Sequence, residues 1–151
     1  MAIEELLPIV TKFRRAIEEA DLSRQSIGEE ASLRMQDFPS GACAEVTRIL
    51  GIFLTTEHNV EPLVSKGGQI EKEEKWWGTH HWLEHDDIII DITADQFPMN
   101  SEKVIVNNNS QFHIGYAQKR WKLECPFDLI HDPVWLVPLY KEVVRKYHSI
   151  E

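Results

Sequence analysis

Two cysteines in 151 residues are too few for a disulfide framework, and Cys43 and Cys125 sit in unrelated contexts. Positive charge is also scarce. Sixteen Lys and Arg face 25 Asp and Glu, a formal net charge of −9, which argues against wrapping a nucleic-acid backbone or an anionic membrane. No apolar run approaches the ~20 residues of a bilayer-crossing helix, and Glu4 and Glu5 interrupt the basic-then-apolar pattern of a secretion signal. The zinc-peptidase pattern His-Glu-x-x-His is missing, as are internal repeats and low-complexity segments. These gaps lead to the expectation of a cytoplasmic protein with no nucleic-acid or membrane partner, in whose reducing surroundings Cys43 stays a free thiol. Export without an N-terminal signal is compatible with the same features.

What the chain does have is 42% hydrophobic residues and five tryptophans, enough to fill the core of one domain spanning 1–151. Ile3, Leu6, Leu7, Val10, Phe13 and Ile17 recur at helical spacing and predict an amphipathic first helix, with Pro8 tolerable near its first turns. A weaker helical stretch covers Ser26 to Gln36, before Phe38-Pro39-Ser40-Gly41 breaks it. From Ala42 a strong helix resumes, with Val46, Ile49, Leu50, Phe53 and Leu54 on one face and Ser40 or Gly41 as N-cap. Val60–Val64, Trp76–Glu84, Ile88–Ile92 and Val104–Val106 read as strands, Lys66–Lys75 as a solvated loop or hairpin tip, and Asn107–Ser110 as a turn. Pro133–His148 suits a terminal helix. Helices first and an antiparallel sheet afterwards predict an α+β domain.

Cys43 falls in the first turn of the third helical stretch, where the helix dipole and unpaired N–H groups favour a thiolate. Gly41, two residues ahead, permits close backbone approach, and the N–H groups around Gly41 and Ala42 are suited to hold an oxyanion. Downstream runs Thr79-His80-His81-Trp82-Leu83-Glu84-His85-Asp86-Asp87, then Ile88 to Thr93. If Asp86 and Asp87 form a two-residue turn, position 82 pairs with 91, and His80 and Asp91 become diagonal neighbours on one face. A loop of odd length would bring His81 to Asp91 instead, so hairpin geometry leaves both histidines open.

The set His80-x-Trp82-x-Glu84 and Asp91-x-Thr93-x-x-Gln96-Phe97, downstream of Gly41-x-Cys43, resembles the papain-like and transglutaminase-like cysteine hydrolases, in particular small bacterial papain-like domains. The resemblance covers roughly residues 38–97. It implies a papain-like/transglutaminase-like α+β fold in which a nucleophile-bearing helix packs on an antiparallel sheet. It also implies a Cys43–His80–Asp91 triad without a cofactor, and the His-x-Trp-x-Glu pattern selects His80 over His81. Peptidase, deamidase and acyltransferase chemistry on a peptide or protein amide all follow from it. Within this pattern His81 stands where a small residue is usual, and Asp37 sits where papain-type enzymes carry an oxyanion-hole glutamine. Gly41, Ala42, His81, Trp82 and Gln96 are the expected substrate or oxyanion residues.

Two other classes compete. His80, His81, Glu84, His85, Asp86 and Asp87 crowd together like metal ligands, but His81 and His85 on one strand lie about 13 Å apart at ~3.3 Å per residue, too far to chelate one ion. A non-catalytic binding or immunity-type module on the same fold is the other. His113 and His131 read as surface or hydrogen-bonded structural histidines, Cys125 as structural, Trp76 and Trp77 as core or cleft wall, and Arg48 as the partner of a nearby acid.

Overall fold

The computed structural model describes residues 1–151, arranged as six α-helices and a five-stranded antiparallel sheet. This is an α+β architecture. Helix α1 spans Ile3–Glu19 and buries Leu6, Val10, Phe13, Ala16 and Ile17, the face that the helical spacing predicts. Glu5 caps its start by accepting the Ala2 N–H at 3.1 Å, and Pro8 is accommodated in the second turn. The weaker helical stretch is two short helices, α2 (Arg24–Ile27) and α3 (Glu29–Arg34). Gly28 separates them at φ +87°, a conformation that only glycine adopts without strain.

Helix α4 (Cys43–His58) is the centre of the molecule, buried over Val46, Ile49, Leu50, Ile52, Phe53 and Leu54. Its N-cap is Ala42, not Ser40 or Gly41. Gly41 turns the chain at φ +72°, so the helix starts one residue later than a cap at Gly41 and two later than a cap at Ser40 would give. Asn59 in the left-handed conformation ends it.

Strand β1 runs Val64–Lys72, β2 Lys75–His85, β3 Ile88–Asp91, β4 Ile105–Asn107 and β5 Ala117–Leu123, in the order β4-β3-β2-β1-β5. Two expectations fail here. Val60–Val64 is not a strand, and Lys66–Lys75 is not a loop: most of it is β1, paired along its length with β2, with only Glu73 and Glu74 at the turn. The glycines explain the misreading. A Cβ at Gly67 would lie 2.3 Å from the Trp121 ring, and one at Gly68 3.1 Å from Trp82, so these positions are bare because tryptophans of neighbouring strands lie across them. Helix α5 (Gln111–Tyr116) and β5 carry too little apolar periodicity to be read in advance. Helix α6 (Leu136–Ser149) matches the expected terminal helix.

The helices α1, α4 and α6 bury one face of the sheet, joined by Leu83, Ile88, Ile90 and Ile92. On the other face Ile70, Trp82, Ile89, Phe97, Ile105 and Phe112 form a smaller cluster beneath α5 and a 3-10 turn at Ala94–Gln96. No helix is long and apolar enough to cross a membrane.

Candidate active site

The β2–β3 hairpin closes through Asp86 and Asp87 as a two-residue turn, with His85 opposite Ile88 and Leu83 opposite Ile90. Asp86 takes φ +54°, which a short polar side chain tolerates. This register places His80 and Asp91 on the same face, and His80 Nε2 lies 2.6 Å from Asp91 Oδ2. His81 points to the helical side instead, 6.0 Å from the Trp121 ring between centroids. Cys43 reaches the same strand from the end of α4, its Sγ 4.0 Å from the Thr79 carbonyl oxygen. The three residues of the expected triad therefore meet where the α4 N-terminus abuts β2.

Each element of the two sequence motifs has a physical task. Trp82 stacks beside His80 at 5.9 Å between centroids, and its indole N–H donates to Glu84 at 3.0 Å. Phe97 meets the His80 ring edge-on at 5.2 Å. The Thr93 N–H donates to Asp91 Oδ1 at 3.0 Å, and the Thr93 carbonyl accepts from Gln96 Nε2 at 3.1 Å. Asp95 is clamped by Arg14 of α1 at 2.8 and 2.9 Å, while the same guanidinium donates to the Ile92 carbonyl at 2.7 Å. The loop that carries Asp91 is thus tied to the first helix.

Gln96 bridges the two halves of the site. Its Oε1 accepts the Gly41 N–H at 3.4 Å, and its Nε2 is 3.3 Å from His80 Nδ1. The Ala42 N–H is turned toward the Pro39 carbonyl at 3.5 Å. Ala42 offers no side-chain acceptor to the first turn of α4, so the amides from Cys43 onward are the backbone donors that face past the helix end.

Electrostatics favour an ion pair. Burial alone would push the His80 imidazole down, but the Asp91 carboxylate and the Cys43 thiol beside it outweigh burial and raise it to about 9. Burial likewise opposes ionisation of Asp91, and the positive charge of His80 with the His113 hydrogen bond overrides it, holding the carboxyl well below its usual range. His81 moves the other way: burial, then repulsion by His80, lowers it, against a weaker pull from Glu45.

The site has a member that the sequence reading placed elsewhere. His113 is fully buried, and its Nε2 lies 2.8 Å from the same Asp91 Oδ2 that holds His80. Nothing in the sequence around Phe112 marks it, because the contact joins α5 to β3. Other expectations are corrected as well. Trp76 and Trp77 are 62% and 37% exposed, so neither is core. Cys125 is exposed. Arg48 pairs with Asp132 at 2.7 and 2.9 Å, as an acid-paired arginine should.

The crowded run His80 to Asp87 is dispersed, with His80 and Glu84 on one face and His85 bonded through Nδ1 to the Pro62 carbonyl on the other. The residues that converge are His80, Asp91 and His113, whose ligand atoms lie within 4.8 Å of one another. Their N···O separations of 2.6 and 2.8 Å are hydrogen-bond lengths. Ligand atoms around a tetrahedral zinc stand ~3.3 Å apart, so the trio fits shared protons better than a metal ion. Compared with protein-family models, with curated proteins and with solved structures, the chain finds no match in any of the three.

Proposed function

We propose that this protein is a papain-like/transglutaminase-like cysteine hydrolase or acyltransferase, with Cys43 as nucleophile, His80 as acid and base, and Asp91 as the carboxylate that orients the imidazole. The observation that carries the reading is the His80–Asp91 bond. Because Asp91 engages Nε2, Nδ1 is the nitrogen left to exchange a proton with the thiol, as a Cys-His-Asp mechanism requires.

The thiolate of Cys43 attacks an amide carbonyl carbon, and the carbonyl oxygen becomes an oxyanion held by the first-turn amides of α4. Position 37 offers only an aspartate, and the Gln96 carboxamide, with Nε2 3.1 Å from the Thr93 carbonyl and 3.3 Å from His80 Nδ1, stands beside the imidazole. As the C–N bond breaks, His80 passes its Nδ1 proton to the leaving amine and a thioester remains on Cys43. Neutral His80 then takes a proton from water, the hydroxide attacks the thioester, and the carboxylic acid leaves as thiolate and imidazolium are restored. A peptide bond as substrate makes the enzyme a peptidase. A glutamine side chain makes it a deamidase, and an amine in place of water completes a transamidation.

A second reading, a non-catalytic binding module on the same fold, is favoured by burial: His80 is 0% and Cys43 only 8% exposed. Labelling separates the two. A peptide vinyl sulfone at pH 6, followed by intact mass and peptide mapping, should modify buried Cys43 faster than exposed Cys125 in the wild type and in His81→Ala. His80→Ala should lose that preference. Equal or exclusive reaction at Cys125 in folded wild type would support the binding module. One zinc per chain by elemental analysis would instead revive the His80–Asp91–His113 metal site.

A further inference from the structure

His113 has no place in the three-residue mechanism, yet it is the only other imidazole bonded to Asp91. It is 0% exposed, on the six-residue helix α5. Phe112 packs at 5.1 Å and Trp82 at 4.8 Å between centroids, so its ring nitrogens have no access to water. A buried imidazole in such surroundings costs free energy unless both nitrogens are bonded, and an apolar ring would fill the space more cheaply. Both are bonded here. Nδ1 lies 2.6 Å from Ser110 Oγ, and Nε2 lies 2.8 Å from Asp91 Oδ2. Ser110 itself is 3% exposed, and its oxygen accepts the His113 backbone N–H at 3.4 Å, while Asp91, held as a carboxylate, has no proton to give to Nε2. The ring proton is therefore on Nε2, aimed at the carboxylate.

Asp91 has three of its roughly four acceptor directions in use, both of those on Oδ2 among them. The Thr93 N–H takes Oδ1, while His80 and His113 share Oδ2. We propose that His113 is a positioning residue of the catalytic pair, donating to the same carboxylate oxygen as His80 so that it pins the Asp91 rotamer and divides the charge that His80 meets. This deepens the Cys43–His80–Asp91 reading and rests on it. The consequence is directional. With one donor removed, the carboxylate oxygen is a stronger acceptor for the remaining one, so the His80 proton is held more tightly and given up to a leaving group less readily.

The charged and titratable groups that face this cluster are Cys43 from α4, Glu84 from β2, whose carboxylate accepts the Trp82 indole N–H, and Arg120 of β5, which donates to the His113 carbonyl, while His81 lies on the opposite face of β2. The Arg14–Asp95 pair lies beyond Thr93. None of these is bonded to Asp91, so His113 is the group whose loss bears directly on that carboxylate.

The test is an NMR titration of His80 in protein labelled at histidine, assigned through His80→Gln, for wild type, His113→Phe, His113→Gln and Ser110→Ala. The wild-type midpoint is expected near 9, as the site's charges set it. His113→Phe should raise it by about 0.5 in pH or more, His113→Gln, whose carboxamide can still donate, should return it toward the wild type, and Ser110→Ala should fall between. Should His113→Phe not fold by circular dichroism, His113→Asn, too short to reach Asp91, takes its place with the same expected rise. Folded variants that all titrate within about 0.2 of the wild type would overturn the proposal. The titration needs no turnover, so a shifted His80 in a protein that never labels at Cys43 would sink the hydrolase reading and leave the positioning role standing.

Discussion

At the scale of single residues, Asp91 decides the character of the site. It is 2% exposed and receives three hydrogen bonds, an arrangement that only a charged acceptor repays inside a protein. Asp91→Asn keeps the shape and removes the charge. Burial then acts on His80 without an opposing carboxylate, so its titration should fall from about 9 toward or below the ordinary 6.5. At pH 8 a fall from about 9 to 6.5 takes the imidazolium from about nine-tenths of the molecules to about 3%. Vinyl sulfone labelling of Cys43 at pH 8 should slow accordingly, measured against Cys125 in the same molecule. An unchanged profile would mean that the carboxylate does not govern His80. Trp82 and Glu84 act one step further out, since the indole that stacks on His80 is itself held by the Glu84 carboxylate.

Among the elements, the long tie between α1 and the Asp91 loop matters most. Arg14 is 4% exposed and joins Ile92 and Asp95 across about eighty positions of sequence. Asp95 sits one residue before Gln96, so the clamp also sets where the bridging carboxamide stands. Arg14→Ala should destabilise the fold by about 3–5 kcal/mol, because the Asp95 carboxylate, 14% exposed, loses its only cation. Urea unfolding measures the loss. In the fraction that stays folded, Cys43 labelling should also slow, and Arg14→Lys should recover part of both. A cost below about 1 kcal/mol would show that solvent replaces the clamp.

These elements also mark what sequence reasoning reaches. Helices α1, α4 and α6 were legible because each pairs a long apolar stripe with a 3.6-residue period, whereas the β2–β3 register was conditional on a two-residue turn at Asp86 and Asp87, which the fold supplies. Strand β1 was not legible, because Gly67 and Gly68 look like a flexible loop until Trp121 and Trp82 are seen lying over them. Its apolar partners are supplied by other strands. Helix α5 is too short to show a period, and His113 carries no local mark of the bond that it makes.

For the molecule as a whole, the buried His80–Asp91 pair couples stability to pH. The His80 value is raised from 6.5 to about 9, so its contribution is complete below pH 6.5 and is lost as pH rises through 9. The Asp91 value is lowered from 3.8, so its contribution is present above 3.8 and is lost as pH falls below it. Both describe one ion pair, counted once, worth on the order of 3 kcal/mol at its full strength. The melting temperature should therefore be highest between about pH 4 and 6.5 and decline toward pH 9. His80→Gln should flatten the alkaline decline. If that variant keeps the wild-type slope between pH 6.5 and 9, another group carries the dependence.

The helix stripes and the chemistry-bearing residue types at Cys43, His80 and Asp91 were set by the sequence alone, because they depend on a 3.6-residue period and on neighbours close along the chain, whereas the hairpin parity waited on the turn at Asp86 and Asp87. The sequence also determined the acidic surface. Only the tertiary structure decided that β1 is a strand, that Gln96 links Gly41 to His80, that Arg14 anchors the Asp91 loop, and that His113 shares the Asp91 oxygen. Each of these is a contact between distant segments, and a chain written in one dimension records the partners without recording that they meet.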